Sequence, residues 1–234
     1  MQYTSLLTER MRYSQLLSNT NQQNRTEPYF LSSLTSICFT IMHKVKILLI
    51  GPVKSGKSTI ANFLSEAADT MSNDYRATRG VRILEFESPN VNVNGKFVTS
   101  DVELWDCSGN LKFQQHWPAL QYETNGVVLV YKPTVNEHGQ LLEMFYNYFV
   151  IQSGLSARSC MVLANVGSDA ERDSRKHIKL PADTFSKVLQ IIADVDGSGN
   201  RLRTDFGIFL SNVFSGMREK HEEEELNVMN VQAV

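Results

Sequence analysis

The sequence predicts a doubly wound α/β fold: a six-stranded, mostly parallel sheet flanked by helices and built around a phosphate-binding loop. Three observations carry this expectation. Gly51-Pro52-Val53-Lys54-Ser55-Gly56-Lys57-Ser58 matches G-x-x-x-x-G-K-[ST] in full, between an apolar run at 45–50 and a helical stretch at 58–71. From residue 45 onward, strand-like and helix-like segments alternate with crossovers long enough for parallel pairing. The runs 127–131 and 160–164 are apolar throughout, as strands buried on both faces of a parallel sheet are.

Residues 1–42 are rich in Ser, Thr, Asn and Gln and keep no helical or strand period. They are expected to form a disordered or non-native N-terminal extension, although Arg10, Arg12 and Arg25 with few acids also suit a transit peptide. The domain is expected over 43–219. Its strands fall at 45–50, 81–87, 97–105, 127–131, 160–164 and 188–192. Asn94-Gly95 carries a hairpin signature, so the third strand should pair antiparallel with the second. Helices are expected at 58–71, at 111–123 around a break at Pro118, at 141–150 and at 202–217. The charge run at 222–225 reads as part of an acidic disordered tail over 220–234.

Composition narrows the function classes. A chain of 234 residues, 42% hydrophobic and 21% charged, suits one globular domain plus tails. A formal net charge of −2 gives no basic surface for nucleic acid or anionic lipid. Three cysteines offer neither a paired framework nor metal spacing, which fits a reducing compartment. No apolar run reaches transmembrane length, Gln2 excludes myristoylation, and 229–234 hold no cysteine to prenylate. The expectation is a protein with no direct membrane anchor and no nucleic-acid partner.

The loop supplies the chemistry. Gly51, Val53, Lys54, Ser55, Gly56, Lys57, Ser58 and Thr59 form the candidate phosphate cradle, with backbone N–H groups converging at a helix N-terminus. Lys57 can reach the β- and γ-phosphates, and the Ser58 hydroxyl can ligate Mg²⁺. The third strand ends in Trp105-Asp106-Cys107-Ser108-Gly109. An Asp at a strand's carboxyl end can hold the Mg²⁺ shell, and a Gly just after it can offer its N–H to the γ-phosphate.

Four stretches carry a family resemblance: 45–52 (VKILLIGP), 80–87 (GVRILEFE), 104–107 (LWDC) and 117–120 (WPAL). Over 42–230 the chain resembles the Ras superfamily and, within it, the Rab-like small GTPases of the intraflagellar transport B complex. The resemblance implies GTP/GDP and Mg²⁺ as cofactors, with Thr78 closing on Mg²⁺ and the γ-phosphate, and Ser58, Thr78 and Asp106 as metal ligands. It implies Asn110 at the position that orients the attacking water, making Asn110 and Thr78 the candidate catalytic residues. Asn165 and Ser168 fall in the base-reading register. Also implied are coiled-coil subunits of intraflagellar transport complex B as partners, a role in cilium or flagellum assembly, and a location in cytoplasm and cilium or flagellum, at the basal body and on axoneme-associated trains. Tyr75, Arg76, Arg79, Phe113 and Trp117 are candidate docking residues on the two switch loops, with core packing of Phe113 and Trp117 and plain solvent exposure of the arginines as the competing reading.

The chain departs from the family pattern in two places. Asn110 stands where the family has glutamine, and a side chain shorter by about 1.5 Å misplaces its carboxamide; a misplacement of about 1 Å costs on the order of 10²-fold in rate. Val53 stands where many relatives have glycine. Both changes predict slow or absent hydrolysis. The base-reading N-K-x-D becomes Asn165-Val166-Gly167-Ser168, with Asp169 one place late, which predicts weakened guanine selectivity.

Other readings remain open. Asp194, Asp196, Ser198 and Asp205, with Gly199 at a turn, fit a calcium loop; Arg201 in an apolar slot and the lack of a second hand favour a plain polar loop before the last helix. A pseudo-GTPase scaffold holding a structural nucleotide is the rival for the P-loop. Another P-loop enzyme, such as a kinase, would need an arginine-rich lid that the sequence lacks.

Overall fold

Main-chain pairing fixes the architecture. The computed structural model describes residues 44–67, 77–93, 95–167 and 177–231. The expected extension over 1–42 lies outside them, as do Tyr75, Arg76, Ser168 and Asp169. The six strands are β1 (Lys44–Ile50), β2 (Val81–Val93), β3 (Lys96–Cys107), β4 (Gly126–Tyr131), β5 (Cys160–Asn165) and β6 (Leu189–Ala193), in spatial order β2-β3-β1-β4-β5-β6. Only β2 and β3 pair antiparallel; β1 to β3, β1 to β4, β4 to β5 and β5 to β6 are parallel. This is the expected sheet.

Alternation along β1 divides the core into two layers. Ile47 and Leu49 join the cluster holding Ile60, Leu64, Val128, Val130, Phe206, Phe209 and Val213. Leu48 and Ile50 join Val127, Leu129, Leu142, Phe145, Phe149 and Trp117 on the other face. The helices are α1 (Lys57–Ser65), α2 (Trp117–Gln121), α3 (Glu137–Tyr146), α4 (Ala182–Phe185) and α5 (Val195–Val231). A 3-10 turn, Leu111–His116, precedes α2, so the expected break falls where Pro118 enters the first turn of the next helix, a place its missing N–H is tolerated.

Several boundaries differ from expectation. Helix α1 stops at Ser65 because Glu66 turns left-handed at φ 54°. The hairpin strands run on past Glu87, with a register shift between Ser88 and Val91 where Asn90 takes φ 60°. Helix α3 begins at Glu137 rather than 141 and runs into a π turn, Asn147–Ile151. Helix α5 spans 37 residues, about 55 Å at 1.5 Å per residue. It begins before Leu202 and continues through residues 220–231, where an acidic disordered tail was expected. Among the described side chains of α5, the last buried ones are Val213 and Phe214; beyond them Arg218 and Glu222 pair at 3.3 Å across one turn, which favours helix over coil.

Candidate functional site

Strand β1 delivers the chain into the loop at Gly51, which lies so close to the Val130 carbonyl that a Cβ would overlap it. Gly56 caps α1 in the left-handed region, φ 88°, where a side chain would be strained and would meet the Asn165 amide. Asn165 Nδ2 instead donates to the Ser55 carbonyl at 2.9 Å, tying the end of β5 to the loop. Lys57 folds back over the loop: its Nζ donates to the carbonyls of Gly51 (2.9 Å) and Pro52 (2.7 Å) and to Ser55 Oγ (3.3 Å). Burial pulls its pKa down to about 8, against the attraction of Asp106. Val53, Lys54 and Thr59 are exposed at the rim.

Three oxygen donors meet beside the loop. Ser58 Oγ and Thr78 Oγ1 are 2.9 Å apart, and Thr78 Oγ1 donates to Asp106 Oδ2 at 3.4 Å. Asp106 is fully buried at the end of β3. Burial raises its pKa; hydrogen bonds from Ser58 and Thr78 and the charges of Arg82 and Lys57 pull the other way. Its Oδ1 is buried with no hydrogen-bond partner among the described residues. A buried carboxylate oxygen without a partner is costly unless something binds it. Two hydroxyls and a carboxylate are the hard donor set that suits Mg²⁺, so the residues fit the metal expected from the sequence.

Gly109 follows Asp106 and lies flat on the loop: a Cβ there would sit 2.6 Å from Val53 N. Asn110 comes next. Its Oδ1 accepts from Lys112 N at 3.0 Å and caps the 3-10 turn. Of the base-reading stretch, Asn165 reaches the site, Val166 is buried with its N–H on Ala193 O, and Ser168 lies outside the described residues.

Both readings of the 194–205 segment are corrected. The segment from Val195 onward is the opening of α5, with Asp194 Oδ1 capping Gly197 N at 2.9 Å, so neither the calcium loop nor the polar loop is present. Asp205 pairs with Arg201 one turn away at 3.6 Å, as neighbours on a helix face do. Of the two readings of Trp117, docking and core packing, the structure shows the core one: it is buried against Phe145, Tyr148 and Phe149. Arg79 is exposed and Phe113 half-buried. His138 is buried and accepts from Lys132 N at 3.0 Å through Nδ1.

Sequence reasoning missed Arg82. It stands opposite Asp106 in the β2–β3 ladder, with Nη2 3.3 Å from Asp106 Oδ2. The signal was hidden by the register shift. Carried on unbroken from the Val93–Lys96 pair, the hairpin would set Arg82 opposite Cys107.

Residues 46–167 match the family described as Ras of Complex, Roc, domain of DAPkinase. The intraflagellar transport protein 22 homolog of Danio rerio is 38% identical over 192 residues, covering 80% of this chain and 100% of that protein. The GTP-bound crystal structure of T. brucei IFT22/74/81 aligns with a TM-score of 0.60 at 24% identity, covering 76% of this chain and 98% of that one. The GDP-bound structure of T. brucei IFT22 aligns at 0.54 and 22% identity, covering 74% and 98%. These likenesses are of fold.

Proposed function

Because the chain belongs to the intraflagellar transport protein 22 family of small GTPases, we propose that it binds GTP and GDP with Mg²⁺, hydrolyses GTP slowly or not at all, and serves as a subunit of intraflagellar transport complex B in the cytoplasm and cilium or flagellum. The observation that carries the nucleotide reading is the convergence of Ser58, Thr78 and the half-satisfied Asp106 beside a complete phosphate loop. Structures of a relative bound to GTP and to GDP support it.

The chain's own residues divide the work. Loop N–H groups and Lys57 hold phosphate; the ammonium need only turn from the carbonyls it now touches. Ser58, Thr78 and Asp106 would hold Mg²⁺, which would supply neutralisation of the phosphate charge. Thr78 ties the first switch loop to the metal site, and Gly109 brings the second against the phosphate loop. Asn165 keeps the loop in shape. The carboxamide of Asn110, spent on a cap, orients no water in this arrangement, which favours slow turnover and also the second reading, a structural nucleotide on a scaffold.

Docking on coiled-coil subunits of the complex is the partner reading, supported by the relative solved as IFT22/74/81. Arg79, Val81 and Ile83 form an exposed stretch along the edge strand beside the first switch, and Leu111 is exposed beside the second. Apolar residues interleaved with arginine on a fixed edge suit such a partner.

Identifying the nucleotide released on denaturing the purified protein tests the reading. Guanine nucleotide is expected. Lys57→Ala or Ser58→Asn should lower GTP retention by about a hundredfold or more, from charged hydrogen bonds that each contribute roughly 1.5–3 kcal/mol. The preference for GTP over ATP should be smaller than in a typical Rab, since Ser168 stands in the register of the base-reading aspartate. Tighter binding of ATP than GTP overturns the reading.

A further inference from the structure

We propose that Arg82 is a built-in counter-ion of the metal site: it shares Asp106 with Mg²⁺, so that nucleotide is retained when Mg²⁺ is withdrawn and Mg²⁺ itself binds weakly. The inference rests on the nucleotide reading above and adds a residue that reading does not use.

The geometry is specific. One guanidinium nitrogen, Nη2, donates to Asn62 Oδ1 on α1 at 2.6 Å and lies 3.3 Å from Asp106 Oδ2 on β3. The cation therefore bridges the helix that leaves the phosphate loop and the strand that carries the metal-binding carboxylate. Asp106 is fully buried, so its charge is poorly screened, and one nitrogen of the partly exposed Arg82 is held between Asn62 and Asp106. Thr78 donates to that same Oδ2, so first-switch threonine and arginine converge on one oxygen while Oδ1 is left for another ligand. The placement is built into the sheet. The extra residue between Ser88 and Val91 sets Arg82 opposite Asp106 instead of Cys107.

The consequence follows from charge. In a phosphate site where Mg²⁺ alone balances a buried carboxylate, removing the metal leaves carboxylate and phosphate facing one another in a low-dielectric pocket. Here a guanidinium remains to neutralise Asp106. The same guanidinium competes with Mg²⁺ for that carboxylate, so the metal's own affinity is reduced.

The test is release of a fluorescent mant-GTP from the full chain, followed in Mg²⁺ and after excess EDTA, with a titration of Mg²⁺ against the release rate. In the wild type, EDTA should speed release only slightly. In Arg82→Gln, the ratio of release rates in EDTA and Mg²⁺ should rise by about tenfold, and the Mg²⁺ concentration at half-effect should fall by about tenfold, the low end for a hydrogen-bonded charge because Arg82 is partly exposed. Arg82→Lys, which keeps the charge, should stay nearer the wild type on both measures. A ratio and midpoint unchanged within twofold in Arg82→Gln overturn the inference, as does a variant that merely melts earlier in both conditions. No measurable mant-GTP binding by the wild type overturns the nucleotide reading, and this inference with it.

Discussion

Asn110 differs from glutamine by one methylene, yet that difference decides what its carboxamide does. At its present length Oδ1 closes on Lys112 N and caps the 3-10 turn, the geometry a short side chain favours. Glutamine caps poorly and reaches further, so Asn110→Gln should free the carboxamide at a stability cost of about 0.5–1 kcal/mol. Unmodified protein should turn over at or below the intrinsic rate of Ras, on the order of 10⁻⁴ s⁻¹. Asn110→Gln should raise the single-turnover rate by about tenfold, and more when Val53→Gly also clears the 45%-exposed rim of the phosphate loop. A quenched-flow assay of bound GTP reads this; a fast wild type sinks it. A second residue answers to pH. Burial holds the His138 imidazole below its usual 6.5, with Lys57 adding to the shift. The unfolded chain then binds the proton first as pH falls, so stability is full above pH 6.5 and declines below it. His138→Asn, which can still accept from Lys132 N, should flatten that decline in urea melts between pH 7 and 5. An unchanged slope assigns the acid sensitivity elsewhere.

At the scale of elements, what was legible had a local cause. The phosphate loop declares itself because two glycines and a lysine must stand at fixed spacing, and the structure puts Gly51, Gly56, Lys57 and Ser58 in the geometry that spacing implies. The Asn94-Gly95 pair announced the hairpin, and apolar runs announced β4 and β5. Arg82 was not legible, since a bulge made of Ser88, Pro89 and Asn90 shifts the register by one and no local pattern states that. The start of α5 was misread for a related reason: Asp194-Val195-Asp196-Gly197 has the composition of a turn, but Asp194 works as a cap and packing further along the helix decides the conformation. Gly126 was missed altogether. A Cβ at this first residue of β4 would lie 2.8 Å from Val213 Cγ2 and 2.9 Å from Phe209 Cζ, so the glycine sets how closely α5 approaches the sheet. Gly126→Ala should therefore destabilise by about 1–3 kcal/mol through overpacking. Combined with Val213→Ala, which opens space at that contact, it should cost less than the sum of the two single changes. Additive costs in urea denaturation would show that the helix is free to shift.

For the whole molecule, the sheet order brings the functional groups together. The carboxyl ends of β1, β3 and β5 deliver the phosphate loop, Asp106 and Asn165 to one edge, as ligand sites in open α/β sheets are arranged. The antiparallel hairpin lies at the other limit of this arrangement: β2 is the terminal strand, and its start at Val81 is four residues or fewer from Thr78 and Arg79. The edge thus couples the metal site to an exposed surface. Ile83 is 47% exposed two residues from Val81, on the strand face that also continues from the first switch. On the proposed reading, Thr78 held by the metal would fix the start of that strand, and a fixed surface loses less entropy on binding than a mobile one. Nucleotide state should then govern docking. In a pull-down with the proposed coiled-coil partners, GTP-loaded protein is expected to be captured several-fold better than GDP-loaded protein. Thr78→Ala should reduce capture by acting on the loop, and Arg79→Glu and Ile83→Glu by acting on the face itself. Ile83→Glu separates the two effects, because it should weaken capture while leaving mant-GTP release unchanged. Equal capture in every state and variant would remove this edge from the interface and leave the nucleotide a structural role.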